Sequence, residues 1–377
     1  MMVVAATLAA STALAQNEQW LSYHTGTEGR GYRSLDLTTN APPDVKLPAL
    51  KAPPYFAKWQ TPMDPSGARW VCLDRTRKSG PYDQLYIDRN GNGRLDDEAP
   101  VSARLDPYNA YFRGVPVVFK GEDGPISCHL IFRFYQYDKN PARLMASSAG
   151  WYEGDVKFDG AKKRIQLIDA NVNGAFNDMG SSPSDCDRVQ VDLDKSRERF
   201  LGRMLEVDGK FFNIEVARDG AFVKLKRAEN LAFGPVRVPE TISEIAAFGG
   251  NGHFVRKPVK GEFTLPSGSY QIYRWSINRK DEKGLPWTMS GEDFPKEFKF
   301  LVAAEKPAVL EIGEPVSAVL KITENSTNRV MSFNLDFVGR QKESIRILRG
   351  SDYPRGPKLM LANAAGTMCY TNTFEFG

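Results

Sequence analysis

The chain of 377 residues carries 50 Lys and Arg against 46 Asp and Glu, a formal net charge of +4, with 41% hydrophobic and 25% charged residues. That length exceeds one ordinary core and predicts two or three domains, while the weak and mixed charge excludes a nucleic-acid footprint. A soluble globular composition excludes general disorder, and three histidines, His24, His129 and His253, argue against a catalytic apparatus built on several imidazoles.

Residues 1–15 read as an export signal. Val3-Val4-Ala5-Ala6-Thr7-Leu8-Ala9-Ala10 is an apolar run too short to span a bilayer. Ala13-Leu14-Ala15 has the small-residue spacing of a cleavage site, although the cationic region that usually precedes such a run is missing. No later stretch is apolar enough to cross a membrane, so no transmembrane segment is expected after cleavage. The expected location is secreted, periplasmic or cell envelope. Export permits disulfides. Cys72, Cys128, Cys186 and Cys369 show no C-x-x-C spacing, and the three full pairings and four free thiols all stay open.

Residues 16–68 predict an extended, Pro-rich lead-in. Pro42-Pro43, Pro48 and Pro53-Pro54 each restrict themselves and the residue before them. Tyr55-Phe56-Ala57-Lys58-Trp59 would anchor it. Residues 69–232 predict a β domain, with alternating runs at 163–169 and 188–193 and a hairpin over 211–226 turning at Asp219-Gly220. The one helical candidate spans 194–205, with Leu201 and Leu205 on one face. Residues 233–377 predict a β-sandwich region, with a possible further division near 295. The run Gly261 to Tyr273 reads as strand, Pro266-Ser267-Gly268-Ser269 turn, strand, and resembles a hairpin of secreted transthyretin-like and Ig-like modules. Phe374-Glu375-Phe376-Gly377 would close the last strand. The fold class is therefore mainly β.

Two stretches carry chemistry. Ile87-Asp88-Arg89-Asn90-Gly91-Asn92-Gly93-Arg94-Leu95-Asp96-Asp97 and Ile168-Asp169-Ala170-Asn171-Val172-Asn173-Gly174-Ala175-Phe176-Asn177-Asp178 share one pattern. Oxygen-bearing side chains stand at positions 1, 3 and 5, a glycine allows the turn at 6, and position 7 offers its carbonyl, as calcium loops require. The ligand candidates in the first loop are Asp88, Asn90, Asn92, Arg94 (through its carbonyl), Asp96 and Asp97. In the second they are Asp169, Asn171, Asn173, Ala175 (through its carbonyl), Asn177 and Asp178. Asn-Gly also turns hairpins without any metal. Two copies sharing Asp at 1, an apolar residue at 8 and Asp at 10 exceed what turning demands. The cofactor expected is calcium, one or two ions, and the first loop, with Glu98 beside it, carries more carboxylates.

These loops resemble EF-hand and dockerin calcium loops over about ten positions. They depart from both families by lacking the carboxylate at position 12 and by following a strand instead of a helix. Tyr55-Phe56-Ala57-Lys58-Trp59, Ser79-Gly80-Pro81-Tyr82-Asp83-Gln84-Leu85-Tyr86-Ile87-Asp88 and Gly150-Trp151-Tyr152-Glu153-Gly154 together resemble uncharacterised exported proteins of planctomycete-type bacteria. That resemblance implies secretion and calcium-type loops, and brings no activity with it.

Two functions compete. One is a calcium-stapled structural or adhesive envelope protein, whose partners would be another envelope protein or a polysaccharide. The other is a carbohydrate binder or carbohydrate-active enzyme with a site between the β domains, using Trp151, Trp275 or Trp287. No nucleophile elbow, P-loop, dinucleotide fingerprint or H-E-x-x-H motif occurs, and the first function is favoured over an enzyme.

Overall fold

The computed structural model describes residues 18–375, apart from 108, 123, 137–140, 181, 295–297 and 326–329. The predicted export signal lies outside these residues. The protein is mainly β: its regular structure is strands, antiparallel in every named pairing but the parallel one of Phe233–Arg237 with Ala308–Val309, and two 3₁₀ turns, Pro183–Asp185 and Lys195–Arg197, with no α-helix among the described residues. The chain divides into two compact units, Met1–Ala228 and Glu229–Gly377.

The first unit is organised around the strand Arg143–Phe158. Its residues Leu144 to Ser148 pair with both Ser22–Leu35 and Gly124–Tyr135. Trp151 to Glu153 pair with Ser22–Leu35 again and with Ala161–Ile168. A strand has two hydrogen-bonding edges. Because Ser22–Leu35 occupies one throughout, Gly124–Tyr135 and Ala161–Ile168 must follow one another along the other. The sheet therefore splits there, and each branch covers its own core.

The first core lies under the meander Tyr55–Gln60, Ala68–Asp74, Gln84–Ile87 and Val101–Ser102. It includes Trp59, Leu73, Ile87, Phe119, Phe132 and Leu144. The second packs Val156, Phe158, Ile165, Leu167 and Val189 against Leu205, Phe212, Ile214 and Val223. The last four belong to the sheet of Met204–Val207, Lys210–Val216 and Phe222–Arg227, with Glu18–Trp20 at its edge. Phe212 and Ile214 point inward at period two while Asn213 and Glu215 point out, so this hairpin forms as its sequence predicts. Each fully buried large apolar side chain contributes roughly 1.5–3 kcal/mol.

In the second unit a three-stranded sheet, Glu262–Pro266, Phe233–Arg237 and Ala308–Val309, accompanies a larger sheet containing Glu244–Gly249, Gly268–Lys280, Pro286–Glu292, Ser344–Arg349, Val330–Val338 and Ser317–Asn325. Trp275 is wholly buried and donates its indole N–H to the buried Glu343 at 2.9 Å, so it is a core residue and not a platform for sugars.

Four expectations change. The lead-in contributes the strands Glu18–Trp20, Ser22–Leu35 and Tyr55–Gln60, because its prolines all fall outside these strands, in the connections before and after Tyr55–Gln60. Residues 194–205 form a 3₁₀ turn and two strand segments, since pairing of Glu198–Phe200 with Arg188–Val191 outweighs a weak helical period. The Pro266 to Ser269 turn does not close a hairpin: Glu262–Pro266 pairs with Phe233–Arg237, while Gly268–Lys280 joins the larger sheet, so the chain steps from one sheet to the other. Among the described residues the last strand is Met368–Thr373, with Phe374 and Glu375 after it and outside any strand, while Phe376 and Gly377 lie outside the described residues.

Candidate metal centre

Both loops leave the middle strand of an antiparallel meander. The first connects Gln84–Ile87 to Val101–Ser102, and the second connects Ala161–Ile168 to Arg188–Val191. Their backbones match at the positions that need a left-handed conformation. Position 4 is Gly91 (φ 73°) or Val172 (φ 57°), and position 6 is Gly93 (φ 77°) or Gly174 (φ 87°). Glycine takes such angles freely. A β-branched residue there is a strained outlier by about 1–2 kcal/mol.

In the first loop Asp88 is buried and its carboxylate faces inward. It accepts the backbone N–H of Gly91 at 2.8 Å, Asn92 at 3.1 Å and Gly93 at 2.9 Å. Asn90 Oδ1 takes the N–H of Asn92 at 3.0 Å, and Asn92 Oδ1 that of Arg94 at 2.9 Å. Asn92 Nδ2 donates to Asp97 at 2.7 Å. The buried Arg69 fixes the loop entrance, donating to the carbonyls of Asp88, Arg89 and Val118 while paired with Asp64 at 2.9 Å. Leu95 pins the far side beside Phe56 and Cys72.

The second loop repeats the pattern in a deeper setting. Asp169 is wholly buried and accepts the N–H of Asn173 at 3.0 Å and of Gly174 at 2.9 Å, with a further bond from Val172. Asn173 Oδ1 takes the N–H of Ala175 at 2.8 Å, and Asn173 Nδ2 reaches Asp178 at 2.8 Å, as Asn92 reaches Asp97 in the first loop. Asn171 Nδ2 also donates to Asp178, at 3.1 Å. Asn177, the second loop's position 9, is exposed. Val172 belongs to the first core and Phe176 to the second. The loop thus fills the place where the sheet divides.

The carboxylate that both loops lack at position 12 has a counterpart. In the first loop Glu98 Oε1 accepts the position-2 N–H of Arg89 at 2.8 Å. In the second, Asp187 Oδ1 accepts the position-2 N–H of Ala170 at 3.2 Å and its Oδ2 the N–H of Asp178 at 2.8 Å. Asp187 stands just before the strand Arg188–Val191, outside any fixed spacing from the motif, so the sequence reading omits it. Its one signal is an acidic residue abutting a strand that pairs with Ile168.

The electrostatics of the loops differ. Arg94 lies on Asp96 at 2.8 Å and on Asp97 at 3.7 Å, and Arg89 lies 3.7 Å from Glu98, so cationic side chains partly neutralise the first loop. Asp169, Asp178 and Asp187 have no ion-pair partner among the described residues. Burial is the main force pushing Asp169 up to about 7, with the Asp178 charge adding to it against the backbone N–H bonds. Burial and the Asp169 charge likewise hold Asp187 well above the usual carboxylate range.

These groups fit a divalent cation. A carboxylate has about four acceptor sites, and three of those on Asp88 and on Asp169 are used by backbone N–H, leaving one each. The amide oxygens of Asn90, Asn92 and Asn173 each keep a lone pair. The buried Asn171 Oδ1 has no hydrogen-bond partner, an unmet need that a cation would satisfy. Among the described residues no three His, Cys, Asp or Glu side chains gather as a metal-ligand group. The donors on offer are carboxylate, amide and backbone oxygens mixed, the set that calcium takes.

The four cysteines are free thiols: Cys72, Cys128 and Cys186 are buried, and Cys369 is exposed. His129 sits beside Tyr23, its Nδ1 3.2 Å from the hydroxyl; it is half-buried and outside the cores, and partial burial lowers its pKa. No helix among the described residues is long and apolar enough to cross a membrane. Comparison with known proteins finds no matching family model, no matching curated protein and no matching solved structure.

Proposed function

We propose that this is an exported calcium-binding protein of structural or adhesive type, in which calcium bound at the two loops locks the ends of strands. The observation that carries the proposal is the pair of buried carboxylates Asp169 and Asp187 with the half-buried Asp178 beside them. These three carboxylates lack a cationic partner, and they sit in a loop that contributes one side chain to each core of the first unit. Calcium would supply the positive charge that lets Asp169 and Asp187 ionise where they stand. The second loop, not the better-charged first, is then the tighter site, because Arg94 and Arg89 already occupy the carboxylates of the first. The second unit is read as an Ig-like or transthyretin-like sandwich that carries partner contacts, and secretion, periplasm or envelope as the location. Calorimetric titration of calcium into metal-free protein tests the proposal and counts the sites. Dissociation constants of about 10⁻⁴ to 10⁻³ M are expected for an extracellular module, and the absence of any heat of binding would sink it.

A further inference from the structure

On the face of the divided sheet opposite the second core lies a groove of about 530 Å³. Cross-strand register builds its floor. Tyr152, Leu167 and Val189 face the core, so their neighbours face outward in two rows. One row is Trp151, Ile168 and Arg188, and the other is Glu153, Gln166, Gln190 and Glu198. The wall is a bulge of Ser22–Leu35, where six residues from Thr25 to Arg30 span only Gly150 to Ser148 on the partner strand. The bulge lies flat because it is glycine-rich: a Cβ on Gly31 would stand 2.2 Å from the carbonyl oxygen of Ala170.

The polar groups of this groove are set in place before any ligand arrives. Gln166 is buried, accepts from Arg30 Nη1 at 2.7 Å and donates to Glu153 at 2.6 Å. The guanidinium of Arg30 lies 4.2 Å over the Trp151 ring, so Trp151 acts as a support for the arginine. Arg30's other N–H groups have no partner among the described residues. Arg188 donates to Glu198 at 2.6 Å, which leaves its Nε buried with no partner. Lys195 stands at the rim, as does Glu28, and Gln190 is buried in the floor.

Unused cationic donors and carboxylate acceptors thus share one cleft of ligand-binding size. A simple anion would meet Glu28 and Glu198. Arg188 is already paired with Glu198, but a neutral sugar would leave the free N–H groups of Arg30 and the ammonium of Lys195 without an anionic acceptor. A ligand with both hydroxyls and an anionic group satisfies both sets, and a bidentate guanidinium contact suits carboxylate or sulfate. We propose that the groove of Arg30, Trp151, Arg188, Gln190 and Glu198 binds an acidic saccharide, a sugar carrying a carboxylate or sulfate group. The site lies inside the first unit, and the inference stands independently of the calcium loops.

The test is titration of the full chain with three oligosaccharides of equal length, one built of uronates, one sulfated and one neutral, each with calcium and with chelator. Saturable binding of an acidic arm in both conditions, at least about tenfold tighter than the neutral arm, is expected. Arg188→Ala should weaken it about tenfold or more. The exposed Lys195→Ala, which leaves the sheet untouched, should weaken it about threefold, and Lys321→Ala in the second unit should not change it. The uronate and sulfate arms decide which anionic group is taken. Equal binding of all three arms, no binding, binding only when calcium can bridge, or binding unchanged in both groove variants would overturn the proposal.

Discussion

The indole N–H of Trp59 donates a 2.7 Å hydrogen bond to the carbonyl oxygen of Val172, joining the first meander to the second calcium-type loop across 113 residues of sequence. Both groups are buried. The bond holds a left-handed valine whose side chain fills the first core, so the strain at position 4 is balanced by packing that a glycine could not provide.

Trp59→Phe keeps most of the apolar bulk and removes this donor. It leaves the Val172 carbonyl unpaired and should destabilise the protein by about 1–3 kcal/mol in urea unfolding. It should also weaken calcium binding at the second loop while leaving the first unchanged. Equal weakening of both sites would show that the bond has no local role.

Calcium removal should lower the melting temperature. At a concentration about 100 times the dissociation constant the metal contributes about 2.7 kcal/mol, which for a unit of this size corresponds to roughly 5–10 °C. Asp187→Asn and Asp178→Asn should each abolish most of the shift. Asp97→Asn in the first loop should remove only a small part. Scanning calorimetry with calcium and with chelator checks the ranking, and the reverse order would return the tighter site to the first loop.

The two position-6 glycines should respond unequally to alanine. Both have positive φ, so each substitution carries about 1–2 kcal/mol of backbone strain. At Gly93 a Cβ meets nothing within 4 Å, whereas at Gly174 it stands 3.2 Å from Phe119 and 3.3 Å from Thr61. Gly174→Ala should therefore lose more stability than Gly93→Ala, and equilibrium unfolding of the pair measures the difference.

Much of this was legible in the sequence because it is local. Alternating runs such as 211–216 became strands, and the paired Asp-x-Asn-x-Asn-Gly loops folded alike down to their left-handed residues. What escaped the sequence depends on distant partners. Ser22–Leu35 carries Gly26, Gly29 and Gly31 and has low intrinsic strand preference, yet it is held by Arg143–Phe158. Asp187 joins the second loop only because Arg188–Val191 pairs beside Ile168, and the groove is made of rows that cross four strands.

Acid should act through Glu153. Burial alone would raise its pKa, but hydrogen bonds from Gln166, Arg164 and Trp151 hold it down to about 2, below its ordinary value of 4.5. The folded state therefore binds this proton less readily than the unfolded state. The resulting stabilisation is complete above about pH 4.5 and is lost as pH falls towards 2. Glu153→Gln should flatten the fall in stability across that window, as read from urea midpoints at several pH values; an unchanged slope would place the acid sensitivity elsewhere.

Thiol labelling should distinguish the cysteines. Cys369 is exposed, while burial raises the pKa of Cys72 to about 12 and also raises those of Cys128 and Cys186. Because the thiolate is the reactive form, a maleimide should modify one cysteine in the folded protein and all four in denaturant, counted by mass spectrometry.

The division of the sheet at Arg143–Phe158 also dictates when the first unit can be completed. Ser22–Leu35 finds its edge only once that strand exists, and Glu18 pairs with Lys224. As the chain is synthesised, Glu18–Trp20 and Ser22–Leu35 must stay unpaired until the later strands that hold them have appeared. Closing such long loops is entropically slow. The Tyr55–Gln60 to Val101–Ser102 meander, built from neighbours in sequence, should protect its amides first, and the edge strands last.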